Sequence, residues 1–165
     1  MSTTLYQQIQ EFYDASSSLW EQIWGEHMHH GYYGVDGKQK KDRRRAQIDL
    51  IEELLKWSGV YSEDAESLPS ASILASPHQS EQIHLPRYEN ILDVGCGIGG
   101  SSLYLAEKFH ARATGITLSP VQAARAKERA QELGLSSRTH FQVADAQAMP
   151  FTDNSFDLVW SLESG

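Results

Sequence analysis

Cysteine is nearly absent. Cys96 is the one thiol in 165 residues, so no internal disulfide can form, as expected of a reducing compartment. Positive charge is also scarce: 14 Lys and Arg against 22 Asp and Glu leave a net charge of −8 at pH 7. That balance argues against nucleic acid as a partner and against a broad cationic face for anionic lipid. No stretch nears the roughly 20 consecutive apolar residues of a membrane-spanning helix. The opening Met1-Ser2-Thr3-Thr4 has neither the basic nor the apolar region of a secretory signal. These absences predict a cytoplasmic protein, with peripheral contact at a membrane as the variant kept open. What remains, 40% hydrophobic residues, is ordinary for one globular domain with a sizeable core.

Glycine is plentiful in one place. Asn90 to Leu105 reads N-I-L-D-V-G-C-G-I-G-G-S-S-L-Y-L. Ile91, Leu92 and Val94 form a short apolar run of the kind found in buried parallel strands. Gly95, Gly97, Gly99 and Gly100 follow, and glycine lets a backbone take positive φ and come within contact distance of a ligand. Ser101 and Ser102 then open an amphipathic helix. A strand, a glycine turn and a helix amino end together present backbone N–H groups to a polar ligand.

Gly95-x-Gly97-x-x-Gly100 satisfies the dinucleotide pattern, a weak signal alone. A dinucleotide site also wants an acid about 20 residues on, at the end of the second strand, to hold a ribose. Here that strand, Ala113 to Ile116, ends in Thr117-Leu118-Ser119. Asp93, just ahead of the turn, would repel a pyrophosphate. It suits a ligand bearing ammonium and sulfonium charge, such as S-adenosylmethionine. A dinucleotide-dependent oxidoreductase is the competing reading.

Asp93-Val94-Gly95-Cys96-Gly97-Ile98-Gly99-Gly100 resembles motif I of the class I S-adenosylmethionine-dependent methyltransferases. Gly115 to Gln122 resembles the end of the second strand in the branch that holds the tocopherol methyltransferases and the cyclopropane fatty-acid synthases, where threonine often replaces the ribose-binding acid. Val143-Ala144-Asp145-Ala146 resembles the adenine-binding turn after strand three, and Phe151 to Gly165 the fourth strand with its approach. The segment F-Y-D-A-S-S-S-L-W-E-Q-I-W-G-E-H-M-H-H-G-Y-Y-G, from Phe12 to Gly34, resembles the amino-terminal lid of γ-tocopherol methyltransferases. The resemblance implies that this lid folds over the cofactor, with Tyr13, Tyr32 and Tyr33 as contacts.

Read in order, the chain predicts a helix over Thr4–Asp14, a break at Ala15–Ser18 and a second apolar face at Leu19, Trp20, Ile23 and Trp24. His27, His29 and His30 follow. Their H-x-H-H spacing lacks the helical offset of a metal pair, and no metal is expected. Lys41 to Trp57 reads as a helix with Gly59 at its carboxy cap and an unfavourable basic start, Lys40 to Arg45. A solvated face explains that run, and contact with a membrane holding a prenylated substrate is the alternative. Serines, acids and three prolines make Val60 to Glu89 a linker or surface loop. From Asn90 the pattern is βαβαββ: strands at Asn90–Val94, Arg112–Ile116, Thr139–Val143 and Phe156–Ser161, helices at Gly99–Phe109 and Pro120–Leu133. The expected organisation is a helical lid (1–59), a linker (60–89) and part of a cofactor-binding domain (90–165).

The expected fold class is therefore α/β, a Rossmann-like doubly wound parallel sheet of the class I methyltransferase type with an amino-terminal helical lid. It would be incomplete, with about four of the family's seven strands. A chain cut there would expose the edge of strand four, so truncation and self-association through that edge are expected. The resemblance assigns the cofactor, S-adenosylmethionine, to Asp93, Gly95, Gly97, Gly99, Thr117, Leu118, Gln122, Asp145, Ala146 and Ser161, with Tyr13 and Tyr32 from the lid. It implies a small-molecule acceptor, a prenylated phenol, methylated on the chromanol ring carbon of γ-tocopherol. Another quinol, an amine or an alkaloid nitrogen is the related alternative. A non-catalytic cofactor-binding fragment is the alternative of another class. Carbon methylation of a phenol calls for a base, and by type the candidates are His29, His30 and Glu163.

Overall fold

A computed structural model describes residues 4–60 and 88–164. Its elements in chain order are α1 (Leu5–Trp24), α2 (Arg43–Trp57), β1 (Asn90–Val94), α3 (Gly100–Lys108), β2 (Arg112–Thr117), α4 (Pro120–Glu132), β3 (Thr139–Val143) and β4 (Leu158–Trp160). The chain divides into two compact units, Met1–His30 with Tyr88–Gly165, and Gly31–Arg87. The loop expected over Val60 to Glu89 lies mostly outside the described residues, as 61–87 are not described.

In the first unit the four strands pair in the order β3-β2-β1-β4, all parallel. β1 pairs with β2 from Asn90↔Arg112 to Val94↔Ile116, and with β4 at Ile91↔Leu158 to Asp93↔Trp160. The order reverses between β1 and β4, which opens a crevice at the carboxyl ends of the strands, where ligands of doubly wound sheets bind. Ile91, Leu92, Ile116 and Phe141 are buried in the sheet, and Leu103, Leu105, Ala106, Ala126 and Ala130 are buried on the helices. Small alanines on α4 let it approach closely: Ala126 and Ala130 pack with Leu103, Cys96 and Phe141. The expected α/β architecture is thus the observed one.

α1 corrects one expectation. It runs unbroken for 20 residues through the serines at 16–18. The Ser16 and Ser17 hydroxyls donate to the Phe12 and Tyr13 carbonyls one turn back, so they stay within the helix instead of offering the backbone an exit. Thr4 and Gln7 close a capping box at its start, and Gly25, at φ +85°, ends it.

The second unit contains α2. Asp42 caps its amino end by accepting from Arg45 N–H, and so offsets the basic first turn. Lys41 and Arg45 both pair with Asp49, at 2.6 and 2.7 Å. Part of the basic run is therefore committed within this unit. Gly59, at φ +74°, turns the chain at the helix end as expected. Among the described residues no helix is long and apolar enough to cross a membrane.

Candidate active site

β1 delivers the glycine turn to the crevice. Gly95 and Cys96 N–H both donate to Ile116 O at 2.9 Å, which locks the turn to the end of β2. Gly95 and Gly97 have φ of +77° and +53°, conformations that a side chain makes costly. Both face a cavity of about 730 Å³ that lies wholly within the first unit. Thr117, Leu118, Gln122, Asp145 and Ala146 line its polar end, while Ile9, Phe12, Tyr13, Trp20, Trp24 and Met28 build an apolar wall from α1 and the segment after it. His29, His30, Leu162 and Glu163 complete the rim.

Each polar group there is oriented by a neighbour. The Thr117 hydroxyl donates to Gln122 Oε1 at 2.7 Å, which leaves the Gln122 NH₂ as the group available to a ligand. Ser119 Oγ caps α4 by accepting from Gln122 N–H at 3.0 Å and donates to Asp14 of α1. Asp145 Oδ1 accepts from Gln147 N–H at 2.8 Å, a local turn that aims the carboxylate. Glu163 Oε2 accepts from the His30 ring Nδ1 at 2.7 Å and from the His30 backbone N–H at 3.1 Å. Burial holds the His29 imidazole below its ordinary range, against the backbone bond to His30 and the charge of Glu163 that raise it.

Three expected site residues of the first unit do not line the cavity. Asp93 is 2% exposed and lies behind the wall, where its carboxylate accepts from Ser102 Oγ at 2.6 Å. Burial raises this carboxyl to about 6, against the hydrogen bond from Ser102 that lowers it. Gly99 is also behind the wall: a Cβ there would meet Phe141 and Ala126 at 3.0–3.1 Å, so this glycine serves helix-to-sheet packing. Ser161 spends its hydroxyl on Val94 O at 3.1 Å. Tyr32 and Tyr33 belong to the second unit, where the Tyr32 N–H donates to Ala46 O, Lys41 Nζ sits 5.8 Å over its ring, and Tyr33 O accepts from Gln39 N–H at 2.9 Å.

Sequence reasoning named Gly100 only as part of the glycine motif, with no place among the site residues, and passed over Arg129. A Cβ on Gly100 would stand 2.5 Å from Glu26 O and 2.8 Å from His27 Nδ1, because the segment after α1 lies directly on the start of α3. A backbone carbonyl cannot swing aside as a long side chain can. Gly100→Ala is therefore expected to push Glu26 and His27 outward and weaken S-adenosylhomocysteine binding more than about tenfold, read by calorimetry, while α3 itself tolerates alanine. The fourth glycine of the motif was the available signal. Arg129 gave none, since a lone arginine on a polar helix reads as solvent-facing. It is 6% exposed, and its Nη1 donates to Glu26 O at 2.9 Å and to Ile98 O at 2.8 Å.

The comparisons agree with this geometry. A protein family described as a methyltransferase domain matches residues 91–164. A probable tocopherol O-methyltransferase, chloroplastic, of Oryza sativa subsp. japonica is 50% identical over 158 residues, covering 95% of this chain and 38% of the relative. The chloroplastic tocopherol O-methyltransferase of Arabidopsis thaliana is 49% identical over 160 residues, covering 95% of this chain and 40% of the relative. The chain thus spans about two fifths of the length of these curated relatives. Among solved structures, the [4+2]-cyclase SpnF superposes with a TM-score of 0.69 at 30% identity, covering 97% of this chain and 50% of that one. The two plant relatives overturn the cytoplasmic expectation, as both are chloroplastic. One thiol and the lack of a secretory signal describe the inside of an organelle as well as the cytoplasm, so neither could separate the two.

Proposed function

Because this chain belongs to the class I S-adenosylmethionine-dependent methyltransferases, close to the tocopherol methyltransferases, we propose that it serves S-adenosylmethionine-dependent methylation in tocopherol biosynthesis, with a prenylated phenol as acceptor. The observation that carries the reading is one cavity with two kinds of wall: polar strand ends on one side, and aromatic side chains of α1 on the other.

The polar end fits the cofactor. Gly97, where a Cβ would meet nothing nearer than Met28 Sδ at 3.7 Å, leaves room for it to lie against bare backbone, while Gly95 is covered closely by Ser164. Thr117, Leu118 and Gln122 border the ribose, and Asp145 accepts from the adenine amino group. The buried Asp93 sets a negative charge beneath the turn, matched to the ammonium and sulfonium. When bound, S-adenosylmethionine supplies a methyl group on a sulfonium, already a strong electrophile. The protein's own tasks are to align the acceptor, exclude water and manage the acceptor's proton. Ile9, Phe12, Trp20 and Trp24 suit the first two, being apolar, broad and stiff.

The acceptor atom in this reading is the chromanol ring carbon beside the hydroxyl of γ-tocopherol. Titration of the chain with S-adenosylhomocysteine is expected to show saturable one-site binding that Asp145→Ala weakens about tenfold. Incubation with labelled S-adenosylmethionine and γ-tocopherol then locates the methyl by NMR. Label on the phenolic oxygen would refute the ring-carbon assignment alone. A folded chain that binds no S-adenosylhomocysteine would sink the whole reading.

A further inference from the structure

We propose that His30, oriented by Glu163, takes the hydroxyl proton of the phenolic acceptor; the inference rests on the phenol reading above. The two residues stand 133 apart in sequence and meet at the cavity rim. A carboxylate can only accept, so His30 Nδ1 is the donor in the 2.7 Å contact. With its proton on Nδ1, the neutral ring keeps its lone pair on Nε2. That is the arrangement in which a carboxylate selects the tautomer of a basic imidazole and stabilises the imidazolium that forms.

Three further observations support the pair. Glu163 has φ +50°, a left-handed conformation that costs a non-glycine residue energy and that the two bonds to His30 hold in place. The Trp24 ring stands edge-on to His30, centroids 5.1 Å apart, so the imidazole is fenced on the side of the apolar wall. The His30 side chain is 75% exposed, so a ligand in the cavity can reach it. His29, from the same segment, is the titratable neighbour whose charge acts on Glu163 beside that of His30. Burial raises the Glu163 carboxyl, but the bonds from the His30 ring and N–H, with the charges of His30 and His29, outweigh it and hold the group below its ordinary value. The base candidates thus separate into roles: His30 touches the acceptor, Glu163 positions His30, and His29 is a buried neighbour.

In the proposed step the phenol O–H bond breaks, an Nε2–H bond forms, and the electron pair stays on oxygen. The phenolate lies beside an imidazolium that Glu163 neutralises. Charge delocalised from the oxygen enriches the ortho ring carbon, the atom that must act as nucleophile.

The test uses 4-nitrophenol as the probe, since its ionised form is read by visible absorbance. The chain is saturated with S-adenosylhomocysteine, and bound-probe ionisation is followed across pH in the parent, His30→Gln and Glu163→Gln. The expected result is ionisation of the bound probe about one pH unit below that of the free probe. His30→Gln should remove that difference and Glu163→Gln should reduce it. A parent and His30→Gln that both bind the probe with the same ionisation midpoint would overturn the role of His30 and leave the phenol reading intact. A parent that binds S-adenosylhomocysteine but no phenol would overturn both. If His30→Gln loses S-adenosylhomocysteine binding through misfolding, Glu163→Gln decides: an unchanged midpoint overturns the pair, and a reduced difference supports it.

Discussion

Arg129→Met is expected to destabilise the cofactor-binding unit by about 3 kcal/mol and to weaken S-adenosylhomocysteine binding at least about tenfold. The guanidinium of Arg129 is buried, and one of its nitrogens serves two carbonyls, Glu26 after α1 and Ile98 inside the glycine turn. Hydrogen bonds to a charged group contribute about 1.5–3 kcal/mol each, and their loss strands both carbonyls. Methionine keeps the apolar stem and relieves a buried charge, which offsets part of that loss. Burial lowers the Arg129 pKa, although Glu26 and Glu21 favour the charge. The same nitrogen joins the turn to the wall opposite, so stability and affinity should fall together. Urea unfolding and calorimetric titration give both values. A variant as stable as the parent would mean that desolvation of the guanidinium cancels its bonds. The Glu21–Arg125 pair, which joins α1 to α4 and is bidentate at 2.9–3.0 Å, is partly exposed, at 27% and 32%, and is expected to matter far less.

Asp93→Asn is expected to move stability and affinity in opposite directions. In the folded chain the Asp93 carboxyl is raised from 3.8 to about 6. Below pH 3.8 it is protonated in both the folded and the unfolded chain, and its burial carries no ionisation cost. Between 3.8 and 6 the unfolded chain ionises first, so stability falls as pH rises through this window. Above pH 6 the cost is constant at about 3 kcal/mol. Asparagine carries no such charge, and its amide oxygen can still accept from Ser102 Oγ–H. The variant should therefore melt higher than the parent at pH 7.5 and converge with it near pH 4. Binding of S-adenosylhomocysteine, which retains the ammonium group, should weaken about tenfold without the charge beneath the turn. Equal melting midpoints at pH 7.5 would show that Asp93 is not ionised at a cost. A chain that trades stability for a charged site is the usual pattern at functional positions.

Sequence alone was enough for the parts of this protein that depend on near neighbours. Short apolar runs in a regular βα alternation marked β1, β2 and β3 almost to the residue, because a strand of a parallel sheet is buried on both faces. Pro120, favoured in a first turn, and Gly134, which stops a helix, bounded α4 by chemistry that acts within a few bonds. Gly95 and Gly97 were legible because positive φ at a strand end has few other uses. The serines at 16–18 misled, since whether a hydroxyl folds back on its own helix depends on what the rest of that helix packs against.

Tertiary structure decided what depends on residues far apart in the chain. It separated Gly97, on the cavity wall, from Gly99, which lets Phe141 and Ala126 pack closely. It set Asp93 against Ser102, put Tyr32 in the other unit, and recruited Arg129 from a polar helix to hold two carbonyls. It also paired His30 with Glu163 across 133 residues. The reason is common to all of these. Secondary structure is set by steric and hydrogen-bond rules that act within a turn or a strand, and a sequence displays those directly. Burial, charge pairing and close approach depend on which surfaces the fold brings together, and those distances exist only once the sheet has formed.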